Sequence, residues 1–373
     1  MRAIGIILAA GNSRRMKELT AKRCTAAMPM CGNYRAIDYV LTNMADSGVQ
    51  KVAVITQYNS RSLSEHLNSA KWWDFGRKQG GLFIYHPTIT PENTSWFRGT
   101  LDSMYQNIYY LEESHEPYVI IASGDGVYHL DYGKVLDYHI EKQADITVVT
   151  AEPRDWENPL RFGQLTTASD GRIVEFEEKP ALIESREVNT GIYILRRRFL
   201  IDLLKQCIEE DRYDFVRDVL VRFRHAKRLY AYRLNSYWSS ISSVDAYYRT
   251  NMDFLNADVR NVFYGEGRTV RTKPNDFPPA KYNPGCSVKN ALVASGTIIN
   301  GTVENSVIFK KSYIGNGAVI RNSIILNDVY IGDNTVIENC IVESHNTIYA
   351  NARYIGDPEE IRVVREINDR REQ

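Results

Sequence analysis

The chain has 373 residues, of which 43% are hydrophobic and 25% are charged, values typical of a globular protein with a substantial core. This length predicts two domains. Lys plus Arg and Asp plus Glu both total 46, so the balanced charge argues against nucleic acid or an anionic membrane surface as a partner. The five cysteines are scattered and include no C-x-x-C pair, which argues against a disulfide framework or a zinc site and indicates a reducing compartment.

The apolar stretch at residues 3–10 is too short to span a bilayer. Its composition also fits the core of a signal peptide. However, Gly11 and an arginine-containing segment follow it directly, which is the pattern of a strand that enters a loop. We therefore expect a cytoplasmic protein with no membrane partner.

Short β-branched runs alternate with helical patterns in the first two-thirds of the chain. Strands are predicted at residues 4–8, 51–56, 118–122 and 145–150, and a helix is predicted at residues 36–47. This alternation predicts a mostly parallel sheet with helices on both faces. Ligands of such sheets bind beyond the carboxyl ends of the strands, where we expect Gly11 and Asp125 to lie.

The C-terminal third contains a repeat of 17 residues. E-N-S-V-I-F at 304–309 returns as R-N-S-I-I-L at 321–326 and E-N-C-I-V-E at 338–343, and a looser copy lies at 289–294. Large apolar residues recur at steps of six, five and six: Val303, Phe309, Ile314, Ile320, Leu326, Ile331 and Ile337. Three short strands per repeat predict a triangular parallel β-helix, whose coils bury a core only by stacking. A β-sandwich is the alternative, although it does not require a fixed period.

The composition of the chain changes at three points, which predict its domain boundaries. We expect an α/β domain at residues 1–255 and a proline-rich linker at 256–284. The β-helix domain is expected at 285–356, and a charged tail at 357–373. The sequence leaves open whether this tail forms a short helix or stays mobile.

The α/β domain carries a series of short motifs. In chain order they are R-A-I-D-Y at 35–39, T-Q-Y at 56–58, W-F-R-G-T at 96–100, Y-Q-N at 105–107, S-G-D at 123–125, R-F-G at 161–163, F-E-E-K-P at 176–180 and T-G-I-Y at 190–193. Together with the repeats, this set strongly resembles bacterial glucose-1-phosphate adenylyltransferase (ADP-glucose pyrophosphorylase) over residues 4–349. The resemblance implies a Rossmann-like nucleotidyltransferase domain with a mostly parallel sheet, followed by a C-terminal left-handed parallel β-helix of hexapeptide-like repeats.

The family makes ADP-glucose and pyrophosphate from ATP and glucose 1-phosphate in bacterial glycogen synthesis. The in-line attack on the α-phosphorus depends on positioning and on charge neutralisation by Mg²⁺, Arg and Lys. The matching positions are Gly11 and Arg15 in the triphosphate loop, Gln57, Gly99 and Thr100 in the adenine pocket, Asp125 as the first metal-binding aspartate, and Gly163, Glu178 and Lys179 at the sugar phosphate. For the Gly11 loop, for Gln57 and for the Glu178–Lys179 pair, an ordinary structural role at a turn or strand end stays open.

The chain departs from the family pattern at positions that carry the chemistry. Ser13 replaces a glycine of G-G-x-G-[ST]-R-L, Thr25 replaces the lysine of A-K-P-A-x-P, and Gly126 replaces the histidine of G-D-H. In the family's W-[KR]-D motif, Ser239 and Ser240 replace the basic residue and the second metal-binding aspartate. A hydroxyl does not substitute for a carboxylate on Mg²⁺, whose octahedral shell usually includes one or two carboxylates.

The resemblance and these losses together predict a regulatory, GlgD-type subunit of the family that is catalytically weak or inactive, since Asp125 alone is insufficient to hold the metal. Such a subunit would assemble with a homologous catalytic subunit, which holds the Mg²⁺, into a hetero-oligomer that we expect to be a tetramer. Binding of sugar phosphate or nucleotide to the vestigial cleft stays open.

Two other functions also stay open. The chain is an active nucleotidyltransferase if it recruits its metal differently. It is an acyltransferase if the β-helix coils carry a catalytic base, for which His345 is available, although the sequence indicates no partner for it.

Overall fold

The computed structural model describes residues 1–11, 13–76, 80–90, 95–265 and 267–365, which fold into two compact units. The first unit contains Cys24–Ala26, Tyr39–Ser240 and the N-terminal strand. The second contains Ser13–Arg23, Ala27–Asp38 and the chain from Ile241 onward. Two N-terminal segments thus belong to the unit that carries the repeats, which the sequence pattern did not indicate.

The secondary structure has the following bounds in the described ranges. The helices are α1 (Ala36–Asp46), α2 (Arg61–His66), α3 (Thr100–Tyr105), α4 (Ile108–Glu112), α5 (Tyr132–Glu141), α6 (Arg197–Glu209), α7 (Val244–Asp253) and α8 (Ala257–Tyr264). The strands before residue 241 are β1 (Ala3–Ala9), β2 (Pro29–Met30), β3 (Tyr34–Arg35), β4 (Lys51–Thr56), β5 (Gly81–Tyr85), β6 (Tyr118–Ser123), β7 (Gly126–Tyr128), β8 (Ile146–Ala151), β9 (Gly163–Thr167), β10 (Ile173–Glu178), β11 (Val188–Arg196), β12 (Leu229–Arg233) and β13 (Trp238–Ser240).

The remaining strands belong to the repeat region. They are β14 (Lys281–Tyr282), β15 (Ser287–Val293), β16 (Ile298–Ile299), β17 (Thr302–Ile308), β18 (Tyr313–Ile314), β19 (Val319–Arg321), β20 (Ile324–Ile325), β21 (Tyr330–Ile331), β22 (Val336–Glu338), β23 (Cys340–Val342), β24 (Thr347–Ile348), β25 (Arg353–Ile355) and β26 (Arg362–Val364). Short 3-10 turns lie at Arg14–Thr20, Thr25–Ala27, Ala70–Trp73 and Pro159–Arg161, and a π-helical turn lies at Val216–Val221.

A mixed, mostly parallel sheet forms the centre of the first unit. Its strand order is β10-β9-β11-β6-β1-β4-β5, with β8 beside β11 and β12 beside β8. Strands β1, β4, β5 and β6 run parallel, whereas β11 runs antiparallel to β6 and β8. Strands β1 and β6 are buried on both faces, which is why they appear in the sequence as unbroken apolar runs.

The elements predicted for this unit are confirmed. The four predicted strands and the helix at 36–47 correspond to β1, β4, β6, β8 and α1, with ends that differ by at most one residue. Because β1 and β6 are neighbours in the sheet, with Leu8 opposite Ser123, the segments that follow them leave the same edge of the sheet. Gly11 and Asp125 therefore both lie beyond the carboxyl ends of adjacent parallel strands, as expected.

Stacked parallel strands form the repeat region, and the predicted hexapeptide-repeat architecture is confirmed. Strands β16, β18, β21 and β24 pair in succession, and so do β17, β19, β22 and β25. The inward side chains Val303, Ile320 and Ile337 are each 0% exposed. Ile314 and Ile331 of the predicted series also belong to this continuous core, whereas Ile308 and Ile325 occupy it in place of the neighbouring Phe309 and Leu326.

The asparagine of each repeat occupies a corner of a coil. Asn305, Asn322 and Asn339 have φ angles of 46°, 44° and 52°, in the left-handed region that Asn tolerates better than most residues. The residue after each asparagine is bonded to the neighbouring coil. The Ser306 hydroxyl, for example, accepts a hydrogen bond from the backbone N–H of Ser323. The recurrent N-S pair therefore has a local backbone explanation.

The structure differs from the sequence predictions near the predicted linker and tail. Helix α8 and strand β14 lie within residues 256–284, which we expected to be a loop-rich linker. Strand β26 lies in the predicted tail and pairs with β23, so the stack continues beyond residue 356. Residues 366–373 lie outside the described ranges. No helix in those ranges has the length and apolar character needed to cross a membrane.

Replacing Ile320 with alanine should lower the free energy of unfolding by about 2–5 kcal/mol, because it leaves a cavity among fully buried coil residues. The neighbouring Val319 is only partly buried, and Val319→Ala is the matched control that should cost clearly less. Urea unfolding of both variants measures the difference. Equal losses would contradict the inward orientation of Ile320.

Candidate functional site

Asp125 and Ser240 lie together in the first unit. Asp125 follows β6, and Ser240 ends β13 opposite Gly126 of β7. The Ser123 hydroxyl donates to Asp125 Oδ1 at 2.5 Å, and the Ser240 hydroxyl donates to Asp125 Oδ2 at 3.4 Å. Ser240 therefore lies opposite Asp125, where the family pattern has a second metal-binding carboxylate.

Two glycines allow close packing around this aspartate. A Cβ atom at Gly124 would lie 3.1 Å from the Cβ of Ala26, and one at Gly126 would lie 2.8 Å from the ring of Tyr128. The segment that carries the buried Thr25 thus packs beside Gly124. A larger side chain at position 126, where the family pattern has histidine, would require the Tyr128 ring to move.

Glu157 is a buried carboxylate beside the two serines. Its Oε1 accepts from the Ser239 hydroxyl at 3.2 Å and from the Ser240 backbone at 3.3 Å, and its Oε2 accepts from the Arg154 backbone at 3.0 Å. Glu157 is 7% exposed, and this burial raises the pKa of its carboxyl because the charged form loses solvation. A basic side chain at position 239 would meet this carboxylate.

The residues predicted for the phosphate loop belong to different units of the chain. Gly11 follows β1 in the first unit and is exposed, with no atom within 4 Å of a Cβ built on it. Ser13 and Arg15 belong to the second unit, where the Ser13 hydroxyl donates to the carbonyl of Ser242 at 2.5 Å and Arg15 is exposed. The side chain that replaces a family glycine is thus bonded to the segment that follows Ser240.

The residues predicted for an adenine pocket have structural partners in the first unit. Gln57 Oε1 accepts from the Phe97 backbone at 2.6 Å, which brings Gln57 beside the W-F-R-G-T motif. A Cβ at Gly99 would lie 2.3 Å from the carbonyl oxygen of Tyr213. The Thr100 hydroxyl accepts from the backbone of Phe215 at 2.8 Å. A local contact explains the presence of each of these three residues. Their role in binding adenine stays a prediction.

The three residues predicted at the sugar phosphate lie together. Gly163 and Glu178 are register partners on β9 and β10. A Cβ at Gly163 would lie 2.8 Å from Glu178 Oε2. Lys179 Nζ lies 3.1 Å from Glu178 Oε1, and the lysine side chain is 54% exposed. The ammonium group of Lys179 therefore lies beside β9 and β10 and remains accessible to an anionic ligand.

His345 has a partner that the sequence did not indicate. Its Nδ1 lies 2.9 Å from Asp328 Oδ2, and Lys311 Nζ lies 3.9 Å from Asp328 Oδ1. These three residues are spaced by 17 positions and share left-handed φ angles of 58° to 59°. They form a column of side-chain contacts along one corner of the coils, which gives His345 a structural partner in Asp328.

Family models match both parts of the chain. The nucleotidyl transferase model covers residues 4–257, and the GlmU-like C-terminal hexapeptide model covers residues 274–363. The first match includes β1, β6 and β13, which carry or precede the residues around Asp125. The second match includes the strands of the repeat region.

Curated relatives agree with these matches. Glucose-1-phosphate adenylyltransferase of Geobacillus stearothermophilus is 37% identical over 86% of this chain and 83% of the relative. The Thermomicrobium roseum enzyme of the same name is 37% identical over 94% of this chain and 82% of the relative. The chain belongs to the glucose-1-phosphate adenylyltransferase family. The Clostridium novyi member is 33% identical over 85% of this chain and 84% of the relative.

The residues of this family member do not fit a Mg²⁺ site. Both carboxylate oxygens of Asp125 accept serine hydroxyls, and a serine rather than a carboxylate lies opposite. In the described ranges no group of three or more His, Cys, Asp and Glu side chains is arranged to hold a metal ion. A site for Mg²⁺ usually offers one or two carboxylates together with substrate phosphates.

Glu157 is the site residue that sequence reasoning missed. It lies outside the quoted motifs, five residues before Phe162, and an isolated glutamate in a polar segment is most often an exposed side chain. Its contact with Ser239 depends on the pairing of β7 and β13, which joins residues far apart in the chain. No local signal in the sequence identifies this contact.

Replacing Glu157 with glutamine should remove one pH dependence of stability. The raised pKa means that the folded protein binds this proton more tightly than the unfolded chain does, in which a glutamate pKa is about 4.3. The contribution is therefore fully present below that pH and is lost as the pH rises through the raised pKa. In urea unfolding from about pH 4 to 7, Glu157→Gln should reduce this loss.

The matched control is Asp155→Asn, which changes an exposed carboxylate two residues away. It should leave the pH dependence of the unfolding free energy close to that of the wild type. If Glu157→Gln also leaves the dependence unchanged, Glu157 does not have a raised pKa in the folded protein.

Proposed function

We propose that this chain is a catalytically weak or inactive regulatory subunit of glucose-1-phosphate adenylyltransferase. It assembles with a homologous catalytic subunit, which holds the Mg²⁺, into a hetero-oligomer, and we expect a tetramer. The observation that carries the proposal is the contact of the Ser240 hydroxyl with Asp125, where the family pattern requires a second carboxylate.

The physical cost of the substitutions supports this role. Removing one group that stabilises charge in a transition state typically costs about 10²–10³ in rate. This chain lacks a metal-binding carboxylate at Ser240, a basic residue at Ser239 and a lysine at Thr25. The losses need not add, because groups that act together lose most of their effect at the first removal. Even one loss leaves a poor catalyst.

Some ligand-binding capacity is compatible with this role. Lys179 remains exposed beside Gly163 and Glu178, an arrangement that suits a sugar phosphate. No disulfide joins any of the five cysteines, all of which lie in the described ranges, and this is compatible with a cytoplasmic location. An influence on the partner subunit would be a coupling free energy between states of the assembly, typically about 1–3 kcal/mol.

A polar pocket of the second unit is a candidate effector site. Its lining is Glu18, Lys22, Arg23, Glu343, Ser344, His345, Asn346 and Arg365. Arg23 Nη2 lies 2.5 Å from Glu343 Oε1, and both side chains are largely buried, at 14% and 12% exposure. A small anion would compete with Glu343 for this guanidinium, which is the kind of exchange that a regulatory ligand requires.

The chain alone should make ADP-glucose at least about 100-fold more slowly than a catalytic homologue at saturating Mg²⁺. Co-expression with that homologue should give a complex of both chains, with activity or effector response different from the homologue alone. Mass measurement and kinetics of the purified complex test both points. Turnover of the isolated chain comparable to the homologue would favour the alternative of an active nucleotidyltransferase.

Restoring three side chains should recover part of the activity. In Thr25→Lys with Ser239→Lys and Ser240→Asp, the new carboxylate joins Asp125, and the lysine at 239 meets Glu157 as an ion pair. Ser240→Asp alone should do less, because two adjacent carboxylates repel unless a cation neutralises them. Mg²⁺-dependent ADP-glucose formation is the measurement, and Ser240→Ala is the control. A folded, assembled triple variant without any gain would mean that the lost chemistry is not local to these positions.

A further inference from the structure

Two corners of the stacked coils carry an asparagine followed by a glycine. The pairs are Asn300–Gly301, between β16 and β17, and Asn316–Gly317, between β18 and β19. Such a pair is chemically labile, because glycine has no Cβ and its backbone nitrogen can attack the asparagine side chain without hindrance. Since the two pairs share a dipeptide and a setting, a difference in their reactivity must come from the local structure.

The side-chain amide of Asn300 is held at both ends. Its Nδ2 donates to the carbonyl of Ile314 at 2.9 Å, and its Oδ1 accepts from Asn283 Nδ2 at 2.5 Å. Gly301 is buried, and a Cβ built on it would collide with the carbonyl oxygen of Ala318. The Asn300 amide is therefore fixed in position, and solvent has little access to the Gly301 N–H.

The side-chain amide of Asn316 is much less constrained. Asn316 and Gly317 are both exposed. The Asn316 Nδ2 lies 3.5 Å from Asp333 Oδ1, which is longer than a usual N–H···O hydrogen bond. The same carboxylate oxygen accepts from the Asn316 backbone N–H at 2.7 Å, and this shorter bond is the stronger of the two. The amide can therefore rotate toward Gly317.

The backbone of the second corner also favours reaction. In the described part of the chain, neither Gly301 nor Gly317 donates its N–H to a hydrogen-bond acceptor, so neither nitrogen is blocked in that way. Only Gly317 combines this with exposure to solvent, which is needed for a base in the water to remove the N–H proton. The structure thus separates a protected pair from a reactive one.

We propose that Asn316 is a site of spontaneous deamidation in the folded protein. The Gly317 nitrogen gives its proton to a base in the solvent and forms a bond to Asn316 Cγ. The bond from Cγ to Nδ2 breaks, and Nδ2 leaves as ammonia after taking up a proton, so that a cyclic imide remains. Water then adds to either carbonyl of the ring, which opens to aspartate or isoaspartate. One water is consumed and one ammonia is released, with no change of oxidation state.

Both products would alter this corner of the coils. Each places a carboxylate near that of Asp333, and adjacent carboxylates repel each other. Isoaspartate also lengthens the backbone by one methylene group, which would displace the Asn316 carbonyl. This carbonyl accepts from the Asn334 N–H of the next coil at 2.8 Å. Deamidation should therefore weaken the contact between two successive coils.

The inference goes beyond the proposed function and does not depend on it. Its test is the chemical identity of residue 316, whereas the proposed function is tested by enzymatic activity with and without a catalytic homologue. Either one can fail without the other.

Incubation of the folded chain at mildly alkaline pH, followed by peptide mass mapping, tests the proposal. The peptide that contains residue 316 should acquire the mass of an acid in place of an amide, with isoaspartate among the products. This conversion should be at least about tenfold faster than that of the Asn300 peptide, because reaction at Asn300 first requires two hydrogen bonds to break. In urea the two peptides should react at similar rates, since the fold no longer protects Asn300.

Two variants control for the mechanism. Asn316→Gln lengthens the side chain and should suppress the reaction at 316 without changing the rate at Asn300. Gly317→Asn supplies a Cβ that hinders the attack, and it should slow the reaction at 316. Asparagine suits this position because Gly317 has a φ of 66°, and Asn334 and Asn351 have φ angles of 56° and 62° at the same corner of the next two coils.

Three results would each overturn the proposal. Residue 316 stays asparagine in the folded chain under conditions in which the urea-unfolded chain reacts. The Asn300 peptide of the folded chain converts as fast as the Asn316 peptide. The Gly317→Asn variant, shown by circular dichroism to be folded, converts at residue 316 as fast as the wild type.

Discussion

The antiparallel pairing of β7 with β13 is the constraint on which the candidate site depends. Its register sets Ser240 opposite Gly126 and so beside Asp125. Successive side chains of a strand point to opposite sides, so Ser239 turns to the other side and meets Glu157. Two neighbouring serines thus bond to two different carboxylates. Each serine hydroxyl therefore has a carboxylate as its hydrogen-bond partner. Position 240 itself carries no carboxylate.

The two serines add no charge beside Asp125 and Glu157. An aspartate at position 240 would bring two negative charges together, and a cation would be needed to offset their repulsion. A hydroxyl instead donates a hydrogen bond to the existing carboxylate and adds no charge. Ser13, which replaces a glycine of the family pattern, also has a local partner, since its hydroxyl donates to the Ser242 carbonyl.

The stacking of coils determines which side chains of the repeat region are free to interact. Residues at the same position of successive repeats form columns, so one residue type in the repeat becomes a stripe on the surface. Asn305, Asn322 and Asn339 form a backbone corner in this way, whereas Lys311, Asp328 and His345 form a column of polar contacts.

The sequence by itself determined the elements that depend on local order. Period and composition predicted the strands, helix α1 and the stacked repeats, because these patterns reflect which faces of a short segment are buried. The quoted motifs were sufficient for the family. They were also sufficient to notice that Thr25, Ser239 and Ser240 depart from it.

Only the tertiary structure decided which distant residues meet. The membership of Ser13–Arg23 in the second unit, the contact of Glu157 with Ser239 and the pairing of His345 with Asp328 all join segments that are separate in the chain. Helix α8 and strand β26 formed where the sequence favoured a linker and a tail. The reason is that a polar side chain or a short strand gains its stability from the partner that the whole fold supplies, and no local window of sequence contains that partner.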